Sequence, residues 1–167
     1  MARVIIKVGD IFSVTIDAHT KKYFQYVADD ATQLSSNVIR VFKKQYAVTD
    51  EVDPEAVVKG EIDFYAHCIV KLGVKLGYWN KEGSVNDIGV TEVFFRNTDD
   101  YGQKLGEEPI KVSHNWYVWK INDKDFTRVG KLEGAYRQAE IGLVINPADI
   151  VNRMRTGQYA FQGYPGF

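Results

Sequence analysis

The chain has 167 residues, of which 45% are hydrophobic and 26% are charged, and a globular protein of this size can bury a core without disulfides or metals. Its net charge of −1 excludes the marked basic excess that broad binding to nucleic acid or to an anionic membrane surface requires. A single cysteine excludes an intrachain disulfide, and no apolar run approaches the ~18 residues of a membrane-spanning helix.

The amino-terminal residues do not have the pattern of a signal peptide, because Arg3 and Lys7 interrupt the apolar residues too early. We therefore expect a cytoplasmic protein. No linker, repeat or low-complexity segment divides the sequence. We predict a single β-rich domain over residues 1–167.

The first 45 residues predict three antiparallel strands. Residues 11–16 alternate apolar and polar side chains with a period of two. Polar turn residues separate them from a second strand at residues 23–28, and a polar loop leads to a third at residues 37–42. Three such strands in succession predict a strongly bent antiparallel sheet.

A short helix is predicted next. Asp53 has the side chain of an N-cap, Pro54 suits the first helical position, and Gly60 would end the helix. Residues 62–70 then predict a strand with one apolar face and one mixed face. The four glycines of residues 73–89 indicate turns more than a long element.

The second half of the chain contains the strongest strand signal. After a predicted strand at residues 91–96 and an exposed polar loop at 97–108, residues 111–121 concentrate β-branched and aromatic side chains. Both faces of this segment are apolar, so we predict a strand inside a sheet. His114 would then lie in the core beside Trp116.

Further strands are predicted at residues 126–129 and 141–145, and residues 132–140 have no clear assignment. Residues 147–156 predict the clearest helix, with Asn146 as its N-cap. The glycine-broken aromatic tail would cross the surface or be partly disordered. The predicted fold class is α+β and β-rich: a bent antiparallel sheet or partly open barrel with a short helix and a C-terminal helix.

The three histidines stand apart in sequence, without the close spacing of metal ligands, so we expect neither a metal nor a cofactor. His67 shares its predicted face with Asp63, and a carboxylate can orient an imidazole for proton transfer. A small enzyme that uses His67 with Asp63 is therefore one alternative. Cys68, between apolar neighbours on its face, is expected to be an inert buried thiol.

No nucleophile elbow, phosphate loop or dinucleotide-binding fingerprint occurs, so the sequence predicts no enzyme. The adjacent acids at residues 29–30 and 99–100 have the local sequence of solvated turns.

Acidic side chains are concentrated between residues 50 and 63 and again between residues 99 and 108. Such segments are either solvated faces or surfaces complementary to a basic partner, since charge steers encounter and fixes register. The residues that we assign to a possible partner surface are Asp50, Glu51, Asp53, Glu55, Asp99 and Asp100.

A smaller basic set on the third strand suggests an RNA-binding or purely structural β-barrel module as a further alternative. Without a basic excess, a nucleic-acid partner is not expected. The residues of this set, with two nearby tyrosines, are Arg40, Lys43, Lys44, Tyr23 and Tyr26.

Several short motifs are shared with one known class of proteins. They are Gly-Asp-Ile-Phe at residues 9–12, Lys-Tyr-Phe-Gln-Tyr at 22–26, Gly-Tyr-Trp-Asn at 77–80 with Ile-Gly at 88–89, and residues 147–157. In this order the chain resembles a β-rich bacterial immunity-protein family of polymorphic toxin systems. The acidic segment at residues 49–60 and the aromatic tail depart from the family pattern. The resemblance implies a non-enzymatic protein that binds a cognate toxin and blocks it.

Overall fold

The computed structural model describes residues 3–102 and 105–167. Its strands form two mixed sheets, and short helices flank them, so the chain has the β-rich α+β class that the sequence predicts. Among the described strands neither sheet closes into a barrel, and each sheet contains one parallel pair besides its antiparallel pairs.

Seven strands form the large sheet. They are β1 (Asp10–Thr15), β2 (Thr20–Asp30), β3 (Ser36–Phe42), β4 (Tyr46–Ala47), β5 (Ile62–Cys68), β6 (Asn80–Ser84) and β11 (Val144–Ile145). The order is β11-β5-β3-β2-β1-β6, and β4 pairs with the first two residues of β2. β1, β2 and β3 pair antiparallel in succession, which confirms the predicted three-stranded start.

Four strands form the small sheet, in the order β10-β7-β8-β9. They are β7 (Phe94–Thr98), β8 (Trp116–Lys120), β9 (Thr127–Gly130) and β10 (Glu140–Ile141). The strand predicted at residues 111–121 is therefore confirmed only in its second half. Trp116 and Trp119, on opposite faces of β8, are both 1% exposed, so the predicted cover on two sides is confirmed.

His114 is exposed, and its predicted burial is wrong because it precedes the strand. The exposed loop predicted at residues 97–108 begins only at Asp99, because β7 continues through Thr98. Its residues 103 and 104 lie outside the described residues.

The helices are α1 (Pro54–Val57), α2 (Val70–Lys75), a 3-10 helix (Gly134–Gln138) and α3 (Pro147–Thr156). The Asp53 and Asn146 side chains cap α1 and α3 as predicted. α2 and β6 were not predicted, because glycines dominate that segment. Gly73 permits α2 there: a Cβ at this position would lie 2.0 Å from the Trp79 ring.

The large sheet is the middle layer of the molecule. On one face its apolar residues pack against α2, α3 and the buried Trp79 ring. α1 and the segment around Val85 cover one part of the other face, where Ile11 and Phe42 lie. The small sheet covers the rest of that face through Phe95 and Trp119.

Residues 140–145 join the two sheets. β10 pairs parallel with β7, and β11, three residues later, pairs parallel with β5. The single strand predicted at residues 141–145 is therefore divided between two sheets. Gly142 makes the crossing possible, because its backbone passes directly against Trp119 and its N–H donates to the Arg96 carbonyl at 2.8 Å.

The tail crosses the surface, one of its two predicted states. Tyr159 and Phe161 pack against the helix-side core, and Gly166 forms a parallel bridge with Val112.

We predict that Gly142→Ala lowers the free energy of unfolding by about 3 kcal/mol, the upper range for overpacking. The new methyl group would lie 2.0 Å from the Trp119 ring, which is buried and cannot move aside. Urea unfolding measures the change. Gly166→Ala is the matched control, since its Cβ would meet only an ordinary 3.6 Å contact. Equal losses in both variants would contradict the prediction.

Candidate functional site

A register shift in β2 decides where Asp30 points. Phe24 and Tyr26 face the helices, and strict alternation would send Asp30 the same way. The pairing of β2 with β3 shifts between Tyr26 and Ala28, which is the sign of a β-bulge. Asp30 consequently faces the small sheet.

The Asp30 carboxylate is fully buried and accepts four hydrogen bonds. Oδ2 lies 2.8 Å from His67 Nε2 and 3.0 Å from Trp119 Nε1. Oδ1 accepts from the backbone N–H groups of Thr32 at 3.0 Å and Asn122 at 2.9 Å. Burial would raise the pKa of Asp30, but these hydrogen bonds, first that of His67, outweigh it and hold the pKa well below the usual carboxyl range.

This arrangement corrects two expectations. The adjacent acids at residues 29–30 were expected to be solvated, which is true of Asp29 and wrong for Asp30. His67 was paired with Asp63 in the enzyme alternative. Its partner is Asp30, whereas Asp63 accepts from Lys22 at 3.2 Å.

His67 has no exposed surface, and the Phe95 ring lies 4.1 Å from its own. Its Nδ1 atom is buried without a hydrogen-bond partner among the described residues. A substrate cannot reach this imidazole in the folded chain. The group is therefore a structural link between the two sheets, and the proposed proton transfer with Asp63 has no geometric support.

Cys68, on the opposite face of β5, is fully buried, and burial raises the pKa of its thiol above the usual range. The predicted inert character of this thiol agrees with both observations.

Four of the six acidic residues assigned to a partner surface lie together in the segment after β4 and the first turn of α1, and all four are exposed. The Asp50 carboxylate accepts from the Ala47 N–H at 3.0 Å, and Asp53 caps α1. Glu51 and Glu55 form no ion pair with the residues that the structure describes. This group, Asp50, Glu51, Asp53 and Glu55, is called the acidic edge below.

The other two acids are held by different elements. Asp99 pairs with Arg128 at 2.9 Å on the surface of the small sheet. Asp100 accepts from Ser113 Oγ at 2.7 Å and from Asn115 Nδ2 at 3.2 Å, which fastens the loop after β7 to the approach of β8. The structure therefore divides the six residues into two groups.

The basic set does not form an RNA-binding face. Arg40 is 4% exposed, and its Nε donates to Gln25 Oε1 at 2.8 Å inside the sheet. Tyr23 and Tyr26, the rings that would stack on bases, are buried. Lys43 is exposed and pairs with Glu61.

The structure also forms a cleft that sequence reasoning missed. Its volume is about 480 Å³, and it lies between the 3-10 helix, β10, the end of α3 and the tail. Arg96, Arg137 and Arg153, contributed by β7, the 3-10 helix and α3, line it together with aromatic side chains of the tail. No sequence signal joins three arginines so far apart in the chain.

Arg153 and Arg96 differ in how their charges are compensated. Arg153 donates to both carboxylate oxygens of Glu140, at 3.0 and 3.4 Å. Arg96 donates from Nη1 to the Ala139 carbonyl, and its buried Nε has no acceptor among the described residues. Burial, with a further contribution from Arg153, lowers the pKa of Arg96 despite the neighbouring Glu140 and Tyr164.

A third surface feature is apolar. Three aliphatic side chains in and beside α2 remain exposed: Ile69, Leu72 and Leu76. Exposed apolar groups that adjoin one another are typical of interaction surfaces. The sequence did not reveal this feature because α2 itself was not predicted.

No family model, curated protein or solved structure matches the chain. Within residues 3–102 and 105–167, every helix is too short or too polar to cross a membrane. The same residues contain no convergent group of three His, Cys, Asp or Glu side chains able to hold a metal ion.

We predict that Asp30→Asn lowers the free energy of unfolding by about 3 kcal/mol at neutral pH, because it removes a buried carboxylate that accepts four hydrogen bonds and places an amide N–H₂ group against donors. The pKa of Asp30 is lower in the folded than in the unfolded chain. Ionised Asp30 therefore stabilises the fold above the ordinary carboxyl pKa of about 4, and this contribution is lost as the pH falls.

Urea unfolding of the wild type and Asp30→Asn, from about pH 7 to about pH 3, measures both effects. The two stabilities should converge as the pH falls. Asp29→Asn is the control: this neighbour is exposed, and an asparagine retains an oxygen that accepts from the Tyr26 hydroxyl. A constant difference between the wild type and Asp30→Asn across the pH range would refute the linkage.

Proposed function

We propose that the chain is an immunity protein: a cytoplasmic, non-catalytic protein that binds a cognate bacterial toxin and neutralises it. The observation that carries the proposal is the acidic edge, a group of four exposed carboxylates at the start of a capped helix and just before it, which form no ion pair with the residues that the structure describes. Such a group is complementary to a basic protein surface. The partner that we propose is a toxin with a basic surface.

The residues of the motifs that carry the resemblance have structural roles, apart from the acidic edge. Gly9 has a φ of +101°, and its carbonyl accepts from the Val85 N–H at 2.9 Å. Asp10 is buried and pairs with Lys81 at 2.9 Å. Gly89 leaves room for the Arg40 guanidinium, which a Cβ would approach to 1.8 Å. These motif residues stabilise the fold.

The acidic edge lies in residues 49–60, the segment that departs from the family pattern. Related proteins that share a scaffold obtain different partners through exposed segments that are free to vary. We therefore assign partner specificity to this segment. Its charges act chiefly on the rate of association, because rim charges steer encounter more than they add affinity.

We predict that the combined substitutions Asp50→Asn, Glu51→Gln, Asp53→Asn and Glu55→Gln slow association with the toxin and flatten its salt dependence. Thermal stability should change little, since Asn caps a helix about as well as Asp. Association kinetics with the cognate toxin at low and high salt measure the effect.

The double variant Asp99→Asn, Asp100→Asn is the comparison, because it removes acids that already have partners in the fold. Its association rate should stay closer to that of the wild type. If the quadruple variant associated at the wild-type rate at both salt concentrations, the acidic edge would be a solvated face. The exposed apolar side chains of α2 would then be tested as the partner surface.

A further inference from the structure

The cleft between the 3-10 helix, β10, α3 and the tail has an excess of positive charge. Three of its lining residues are arginines, and Glu140 is the one acidic side chain among the described residues that line it. The hydrogen bonds of Glu140 to both Nη atoms of Arg153 compensate that guanidinium. Among the described residues, neither Arg96 nor Arg137 forms an ion pair with a carboxylate.

Of these two side chains, Arg96 has a buried donor that lacks an acceptor in the described part of the chain. Its Nε is buried and has no acceptor among the described residues, although buried donors are nearly always bonded. Its guanidinium lies 5.5 Å from the Trp116 ring and 5.0 Å from the Phe167 ring, so aromatic faces take the place of an anion. An uncompensated, partly desolvated cation of this kind favours binding of an anion.

Arg137 approaches the same part of the cleft from the 3-10 helix. Its side chain is exposed, and its guanidinium lies 5.2 Å from the Phe167 ring. Because Arg96 lies 5.0 Å from that ring, the two guanidinium carbons are at most about 10 Å apart. Both charges therefore lie at the same end of the cleft, beside Phe167.

The remaining walls are aromatic. The Tyr159 and Phe161 rings stack at 5.0 Å with an interplanar angle of 21°, and they present flat apolar surface beside the arginines. Burial raises the pKa of Tyr164, so its hydroxyl keeps its proton at neutral pH and adds no negative charge. The cleft combines cationic donors with surfaces on which a planar group can pack.

We propose that this cleft binds a small organic anion whose oxyanion, a carboxylate or a phosphate, is attached to a planar ring. The oxyanion lies against the guanidinium groups of Arg96 and Arg137, and the ring packs against the aromatic side chains of the tail. A volume of about 480 Å³ is within the usual range for small-ligand sites. This binding site is separate from the acidic edge and does not depend on toxin binding.

Four probes test the proposal with the full-length chain: adenosine 5′-monophosphate, benzoate, adenosine and inorganic phosphate. Titrations followed by nitrogen–proton NMR should show that at least one ring-bearing anion binds and shifts the Nε–H resonance of Arg96. Adenosine has the ring without the oxyanion, and inorganic phosphate has the oxyanion without the ring, so both should bind more weakly. A preference for the nucleotide would identify a phosphate ligand, and a preference for benzoate a carboxylate ligand.

Arg137→Gln is the decisive variant, because Arg137 is exposed and its loss leaves the packing intact. We expect it to weaken binding by about tenfold or more, as for the loss of a charged hydrogen-bond donor. Arg128→Gln is the matched control, since it removes an exposed arginine of the small sheet outside the cleft. Arg96→Lys keeps the charge but removes Nε, and it should also weaken binding.

Several outcomes would overturn the proposal. One is that neither ring-bearing anion binds at millimolar concentration. Another is that adenosine binds as tightly as its monophosphate while benzoate does not bind. The third is that Arg137→Gln and Arg128→Gln weaken binding equally, which would show general charge attraction and no defined site.

Discussion

The Asp30 carboxylate holds the two sheets in one relative position. It ends a strand of the large sheet, yet two of its four donors, Trp119 and Asn122, come from the small sheet and the turn that follows β8. A buried charge is tolerable only when its hydrogen-bonding capacity is filled. A displacement of the small sheet would remove two of these four donors. Apolar contacts stabilise the packing of the two sheets, and the hydrogen bonds of Asp30 fix their relative position.

Other features follow from that register. With its indole bound to Asp30, Trp119 presents its ring edge to Gly142, and the absence of a side chain there lets the chain pass from β10 to β11. The position of β10 in turn places Glu140 beside Arg153 and the Ala139 carbonyl beside Arg96. The position of the cleft arginines therefore depends, through Trp119 and β10, on the hydrogen bonds of Asp30.

Local signals predicted much of the fold and little of the sites. Period-two alternation and turn residues identified β1, β2, β3 and β5, and the side chains of Asp53 and Asn146 marked both helix starts, because alternation and capping act over a few residues. The direction of Asp30 could not be predicted, since the bulge in β2 reverses the alternation without a sequence signal. α2 was not predicted because glycine disfavours helices, whereas Gly73 is there for its close contact with the Trp79 ring. The cleft arginines were missed because only the folded topology brings them together.

The double pairing of residues 140–145 also has a consequence for biosynthesis. β10 and β11 pair with β7 and β5, so both of these strands keep an unpaired edge until that late segment leaves the ribosome. Unpaired edges are templates for association with other chains. The nascent protein therefore carries two open edges from the synthesis of β7 until residues 140–145 are available, and this one six-residue segment then pairs with both. Because these pairings join residues far apart in the chain, they are also contacts of the kind that slow folding.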